Sequence, residues 1–225
     1  MFPIMILGTS LAGIISLLAT EGREGLQNLR SRLFKWKIPI RWYVLALTIP
    51  PVLIVLTLLI LKSIVSDSFK MNFFPIGILF GIPAGFFEEI GWTGFALYKM
   101  STSMSRLKSG IIIGLLWGLW HLPVIDFLGT ATPHQHYLFP FFLSFIMLLT
   151  AMRLIMVWIY SFTKSVLIVQ LLHAVSTGCL AMLGPFQVSP AQETLWYASY
   201  AFLLWIIVVI IYSFSDRSSF KLFRP

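Results

Sequence analysis

The chain has 225 residues, of which 58% are hydrophobic and only 11% charged. That balance lies well outside soluble globular composition, and it excludes an ordinary water-soluble domain. The net charge of +8 does not signal nucleic acid, because the basic residues sit between apolar runs, where they set topology and meet anionic headgroups.

Taken in chain order, the apolar runs predict seven spans, over 3–19, 42–64, 73–98, 110–128, 137–160, 165–183 and 194–214. The first run has no basic leader and no clear cleavage site, so it reads as a span and not as a cleavable signal. A basic loop follows it, with Arg23, Arg30, Arg32, Lys35, Lys37 and Arg41. Lys99, Arg106 and Lys108 follow the third run, Lys164 precedes the sixth, and Arg217, Lys221 and Arg224 end the chain. In a seven-span arrangement all of these fall on one side, and the other side has only Lys62 and Lys70. The positive-inside rule then predicts an outside N-terminus and a cytoplasmic C-terminus. The expected fold is an all-α, polytopic transmembrane bundle forming one membrane domain over 1–225, since backbone polar groups in lipid need partners within the chain. No internal repeat is apparent. The single cysteine, Cys179, excludes an internal disulfide.

Five polar side chains stand where lipid tolerates them poorly: Glu88 and Glu89 in the third run, His121 in the fourth, and Gln170 and His173 in the sixth. Counted from the cytoplasmic ends of their runs, Glu88, His121 and His173 all lie roughly 15 Å deep at 1.5 Å per residue. Groups at one depth on three helices can satisfy one another and mark a polar pocket. His173 and Thr177 share a helix face, with Gln170 on the same side. Trp117 and His121 share another, and Trp92 lies one turn beyond Glu88. Glu88 and Glu89 point about 100° apart, so they need different partners, one as a reacting carboxylate and one as a structural carboxylate.

A carboxylate with an imidazole can activate water, directly or through a metal, and a second imidazole with a neighbouring hydroxyl can donate to an oxyanion. This is a hydrolase constellation. Zinc accepts the same ligands, with Glu88, His121 and His173 as the set if a metal binds, although the HExxH motif is absent. His134 and His136, in "TPHQHY", read as solvated loop residues, and Asp126 as interfacial. Arg153, inside the fifth run, has two readings: an ion pair with Glu89, or a side chain that snorkels to the headgroups.

The segments "EEIGWTGFAL", "GLLWGLWHLP" and "SFTKSVLIVQLLHAVST" occur in the order and spacing of a known motif set. Together they resemble the three motifs of the CPBP family, the CAAX-protease and bacteriocin-processing intramembrane proteases, also called Abi. The similarity covers about 20–185. It implies that Glu88 and His121 hold the hydrolytic water, and that His173 with Thr177 stabilises the oxyanion. Glu89, Trp92, Trp117, Arg153 and Gln170 would support them. The family's first motif places an Arg where this chain has Thr93, its second a Phe where this chain has Trp117, and its third an Asn where this chain has Thr177.

The resemblance implies an endopeptidase in a bacterial plasma membrane, acting on a peptide or membrane-protein substrate, with zinc as the candidate cofactor. A non-catalytic immunity or scaffold protein of the same fold is the alternative. A proton- or cation-coupled transporter is a third class, but its usual repeated halves are not seen.

Overall fold

The computed structural model describes residues 2–214, which are helical with no strand among them. The basic residues Arg217, Lys221 and Arg224 lie outside the described residues. Five helices are long and apolar enough to cross a membrane: Pro3–Leu33, Ile40–Ile64, Gln135–Thr163, Val166–Leu183 and Pro190–Phe214. The protein is therefore a multi-pass membrane protein. The helical columns are α1 (Phe2–Leu33), α2 (Ile40–Ile64), α3 (78–100), α4 (Arg106–Trp120), α5 (Leu138–Thr163), α6 (Val166–Leu183) and α7 (Pro190–Phe214).

Two predicted boundaries and the interior of the third run are corrected. The expected basic loop after residue 19 is mostly helix: α1 bends at Gly22 (φ 62°, ψ −145°) and continues to Leu33. Beyond the bend Gly25, Leu29 and Arg32 face inward, while Arg23 and Arg30 face out. The polar residues between them hide this amphipathic stripe from a hydropathy reading. The fourth run does not continue to residue 128. α4 starts after Ser105, whose side chain accepts the Lys108 N–H, and stops at Trp120. Pro123 has no N–H and disfavours helical backbone just before it, so the chain passes into a 3₁₀ turn over Leu122–Phe127. His121 is thus the cap of α4 and not a residue within a span.

The third correction concerns α3. It is a chain of short pieces: α-helix Ile78–Pro83, π-helix Ala84–Glu88, a turn Glu89–Gly91, a second π-helix Trp92–Leu97 and a last turn Tyr98–Met100. α3 lies between α1 and α6. Its approach to α6 is very close. A Cβ on Gly81 would lie 1.9 Å from the Ala174 carbonyl oxygen, and one on Gly85 would lie 2.6 Å from the Ala174 nitrogen. Small residues allow such backbone contact between membrane helices, and here it brings Glu89 to His173.

α5 is the central column. Of its apolar window 72% is buried in the protein, against 22% for α1. It packs on α4 and α7. Its polar residues Ser144, Thr150, Arg153, Ser161 and Thr163 are all buried.

Candidate active site

Glu88 closes the first π-helix, and Glu89 opens the turn that follows. A π-helical turn contains an extra residue, which leaves the ordinary carbonyl pairing of the helix disturbed. Side chains from other helices donate to carbonyls of these segments. Gln170 Nε2 donates to the Phe86 carbonyl at 2.6 Å, and Ser10 Oγ to the Phe87 carbonyl at 2.5 Å. In the second π-helix the Gly94 carbonyl accepts from Arg32 Nη2 at 3.0 Å. Gln170 therefore holds the backbone that carries the two carboxylates. Arg32, expected in the basic loop after the first span, is buried and also donates to the Tyr160 hydroxyl at 3.0 Å.

Glu89 is fully buried, and both its oxygens are occupied twice. Oε1 accepts from Arg153 Nη2 at 2.8 Å and meets His173 Nδ1 at 2.9 Å. Oε2 accepts from Arg153 Nη1 at 2.8 Å and from the Thr93 hydroxyl. Arg153, also fully buried, thus makes the two-pronged pair that suits a carboxylate best. The snorkelling alternative is ruled out. Since a carboxylate only accepts, the proton between Glu89 and His173 sits on Nδ1. Glu89 has no lone pair left for a substrate.

Glu88 is buried and points elsewhere, as the 100° between neighbours requires. Its Oε2 accepts from the indole Nε1 of Trp117 at 2.9 Å. Trp117 is the hub of the site. Its ring packs edge-on to His173 at 4.8 Å and to His121 at 6.1 Å between centroids, and the Arg153 guanidinium lies 4.4 Å over its face. Glu88, His121 and His173, from three separate columns, are thereby gathered around one indole. The Glu88 carboxylate and the His173 ring both lie within Coulombic range of His121. His121 Nδ1 lies 2.8 Å from the Trp117 carbonyl, which can only accept, so the open nitrogen is Nε2. Thr177 is half-buried one turn beyond His173. Trp92 packs edge-on to Trp120 at 6.4 Å, with its indole Nε1 buried and without a hydrogen-bond partner.

The chemistry of the open atoms, one carboxylate oxygen and two imidazole nitrogens, would suit zinc. Among the described residues no three His, Cys, Asp or Glu side chains are grouped to hold one metal ion.

A second cluster was missed at the other end of the bundle. His134, expected as solvated, is completely buried and stacks on Phe141 at 3.8 Å. Its Nδ1 faces Asp126 at 3.0 Å, and its Nε2 faces Glu193 at 3.2 Å. Glu193, in the first turn of α7, also accepts the backbone N–H groups of Thr130 and Ala131, each at 2.7 Å. Gly129 (φ 83°) lets the loop turn over this carboxylate, where a Cβ would lie 2.4 Å from Glu193 Oε1. The His134 backbone N–H and ring hold the Asp126 carboxyl below the usual aspartate range. His136 is exposed, as expected. Nothing in the spacing of these residues signals the cluster, because its members come together only through the loop's path.

Comparison with known proteins points the same way as the motifs. Residues 70–179 match the family described as Rce1-like, type II CAAX prenyl endopeptidase Rce1-like. Every residue of the site around Trp117 lies inside that segment. A stretch of 58 residues is 40% identical to "CAAX prenyl protease 2" of Methanococcus maripaludis. That stretch covers 26% of this chain and 21% of the relative, so the similarity spans about a fifth of the relative's length. The relationship to the CAAX-protease family read from the three motifs is borne out.

Proposed function

We propose that this chain, related through residues 70–179 to the Rce1-like CAAX proteases, is an intramembrane endopeptidase that cuts a peptide bond with water activated by Glu88. The observation that carries the proposal is the convergence of Glu88, His121 and His173 on the Trp117 indole, with Glu89 fully committed elsewhere. It leaves a single carboxylate for chemistry. In this reading a water lies between Glu88 and His121 Nε2. Glu88 takes its proton as the water oxygen attacks the peptide carbonyl carbon, and His173 and Thr177 face the oxyanion that forms. The same proton then passes to the leaving amine nitrogen as the C–N bond breaks.

All seven columns cross the membrane in this reading, with the basic ends in the cytoplasm. The bend of α1 and the ends of α3 and α5 share one face: Lys99 pairs with Glu21 at 2.5 Å, and burial with neighbouring Arg106 and Lys35 lowers Lys164 to about 8. The opposite face gathers the loops before α3 and after α4 and α6. There the Phe74 N–H donates to the Met182 carbonyl at 2.9 Å, and the Thr130 hydroxyl to the Pro185 carbonyl at 2.9 Å.

The test uses purified protein in detergent, a farnesylated peptide ending in the CAAX pattern, and a panel of unmodified peptides. Cleavage should fall about 100-fold or more in Glu88→Gln, which keeps shape and loses basicity. Activity kept in Glu88→Gln and lost in Glu89→Gln would reverse the two roles. No cleavage of any peptide by the wild type would favour the non-catalytic alternative.

A further inference from the structure

We infer that Arg153 is a positioning residue for His173: acting through Glu89, and seated on Trp117, it decides which ring nitrogen His173 presents to the site. The inference deepens the endopeptidase reading, but its main readout does not depend on cleavage.

The geometry runs across three helices. Among the described residues Glu89 on α3 is the only side chain hydrogen-bonded to both Arg153 on α5 and His173 on α6. The guanidinium fork takes one lone pair from each carboxylate oxygen, at 2.8 Å each, and so fixes the rotation of the carboxylate plane. The Thr93 hydroxyl takes a second lone pair of Oε2. What remains is one lone pair of Oε1, aimed at His173 Nδ1 at 2.9 Å. An imidazole facing one fixed acceptor keeps its proton on that nitrogen and exposes the other. His173 therefore presents Nε2, and only Nε2, to a substrate. Trp117 holds both partners at once, with the Arg153 cation 4.4 Å over its face and the His173 ring 4.8 Å from it. Without the fork the carboxylate can rotate, and His173 loses its oriented acceptor.

The structure also shows where the cation could equally be supplied. Thr93 lies one turn beyond Glu89, and its Oγ1 touches both Glu89 Oε2 and Arg153 Nη1, the latter at 3.3 Å. A side chain from position 93 thus reaches the same carboxylate as one from position 153. If Arg153 acts by delivering a fork to Glu89, an arginine at 93 should replace it once the space at 153 is vacated.

The experiment reads the tautomer directly, by ¹⁵N NMR of histidine-labelled protein in nanodiscs, with the His173 signal assigned by its loss in His173→Gln. Wild type should show His173 protonated at Nδ1. Arg153→Met should show a mixture of tautomers and a lower melting temperature. Thr93→Arg combined with Arg153→Met should return both toward wild type, and Arg153→Lys, which keeps the charge without the fork, should show a mixture of tautomers at an intermediate melting temperature. Where the wild type cleaves peptide, Arg153→Met should lower kcat at least about 100-fold with little change in KM, the pattern of a misdirected imidazole. An unchanged tautomer in Arg153→Met overturns the inference. If that variant does not fold, Arg153→Lys takes its place, since an unchanged tautomer there, with the fork gone, also overturns the inference. A double variant no better than Arg153→Met overturns the equivalence of the two positions. A wild type that cuts nothing, yet shows the expected tautomers, would sink the endopeptidase reading and leave this one standing.

Discussion

Glu88 and Glu89 are the same residue type, adjacent in sequence, and the fold gives them opposite duties. Glu88 has one hydrogen bond, from an indole, while Glu89 has a buried arginine, a threonine and a histidine. Their replacement should therefore separate in stability as well as in activity. Glu89→Gln strands the Arg153 cation in a dry interior, and breaking such a pair costs about 3–5 kcal/mol. Glu88→Gln keeps an oxygen that can still accept from Trp117, so its cost should stay below about 1 kcal/mol. Thermal unfolding in detergent should show a clear drop for the first and little for the second, and equal drops would contradict the division. This much was legible from the sequence, because two carboxylates 100° apart on a helix need two partners, and Arg153 is the basic residue that stands inside an apolar run. The role of Trp117 was not legible. A tryptophan among apolar residues reads as a pocket wall or a belt residue, and nothing in its spacing shows that its N–H aims at a carboxylate. His134 failed for a related reason: a histidine between Pro133 and Gln135 looks solvated until the loop's path is known.

At the scale of elements, the working parts are those that depart from regular helix. α3 has two π-helical segments whose carbonyls are satisfied by Ser10, Gln170 and Arg32, and it carries both carboxylates. A hydropathy pattern reports that an apolar helix exists but not that its pitch changes, so the third run was visible and its interior was not. The loop between α4 and α5 is the other irregular part, tied to α7 by Asp126, His134 and Glu193. Here the pH dependence has a definite sign. The folded-state pKa of Asp126 is depressed by the His134 backbone N–H and ring. Its contribution is therefore present above the unfolded value of about 3.9 and is lost as the pH falls through the lower folded value. The melting temperature of Asp126→Asn should lie below that of wild type at pH 7. The gap should close as the pH drops below the usual aspartate range. A gap that persists into strong acid would mean that the carboxylate's charge is not what holds the loop.

For the whole molecule, the open question is how α3 and α4 relate to the bilayer. Five helices qualify as spans by length and composition, and these two do not. A seven-span and a five-span arrangement differ only in the loop at 101–105. If α3 and α4 cross, that loop is cytoplasmic; if they form a hairpin entering from outside, it returns to the outer face. The contacts favour crossing. Lys99, just before the loop, pairs with Glu21 at the bend of α1, and Arg106, just after it, acts on Lys164 at the end of α5. The far ends of the same two columns meet the loops around Met182 and Pro185. The charge pattern agrees, with Arg23, Arg30, Lys99, Arg106, Lys108 and Lys164 at the first end and Lys62 and Lys70 at the other. The prediction is read with single cysteines in a Cys179→Ala background, needed because Cys179 is free and buried. Ser103→Cys and His136→Cys report from exposed positions at opposite ends. With a membrane-impermeant maleimide, Ser103→Cys should label in inverted vesicles and not in intact bacterial cells expressing the protein, and His136→Cys the reverse. Labelling of Ser103→Cys in intact cells would bring the count down to five. It would also turn the site toward the outer face, because Glu88 and His121 lie on the two columns that loop joins.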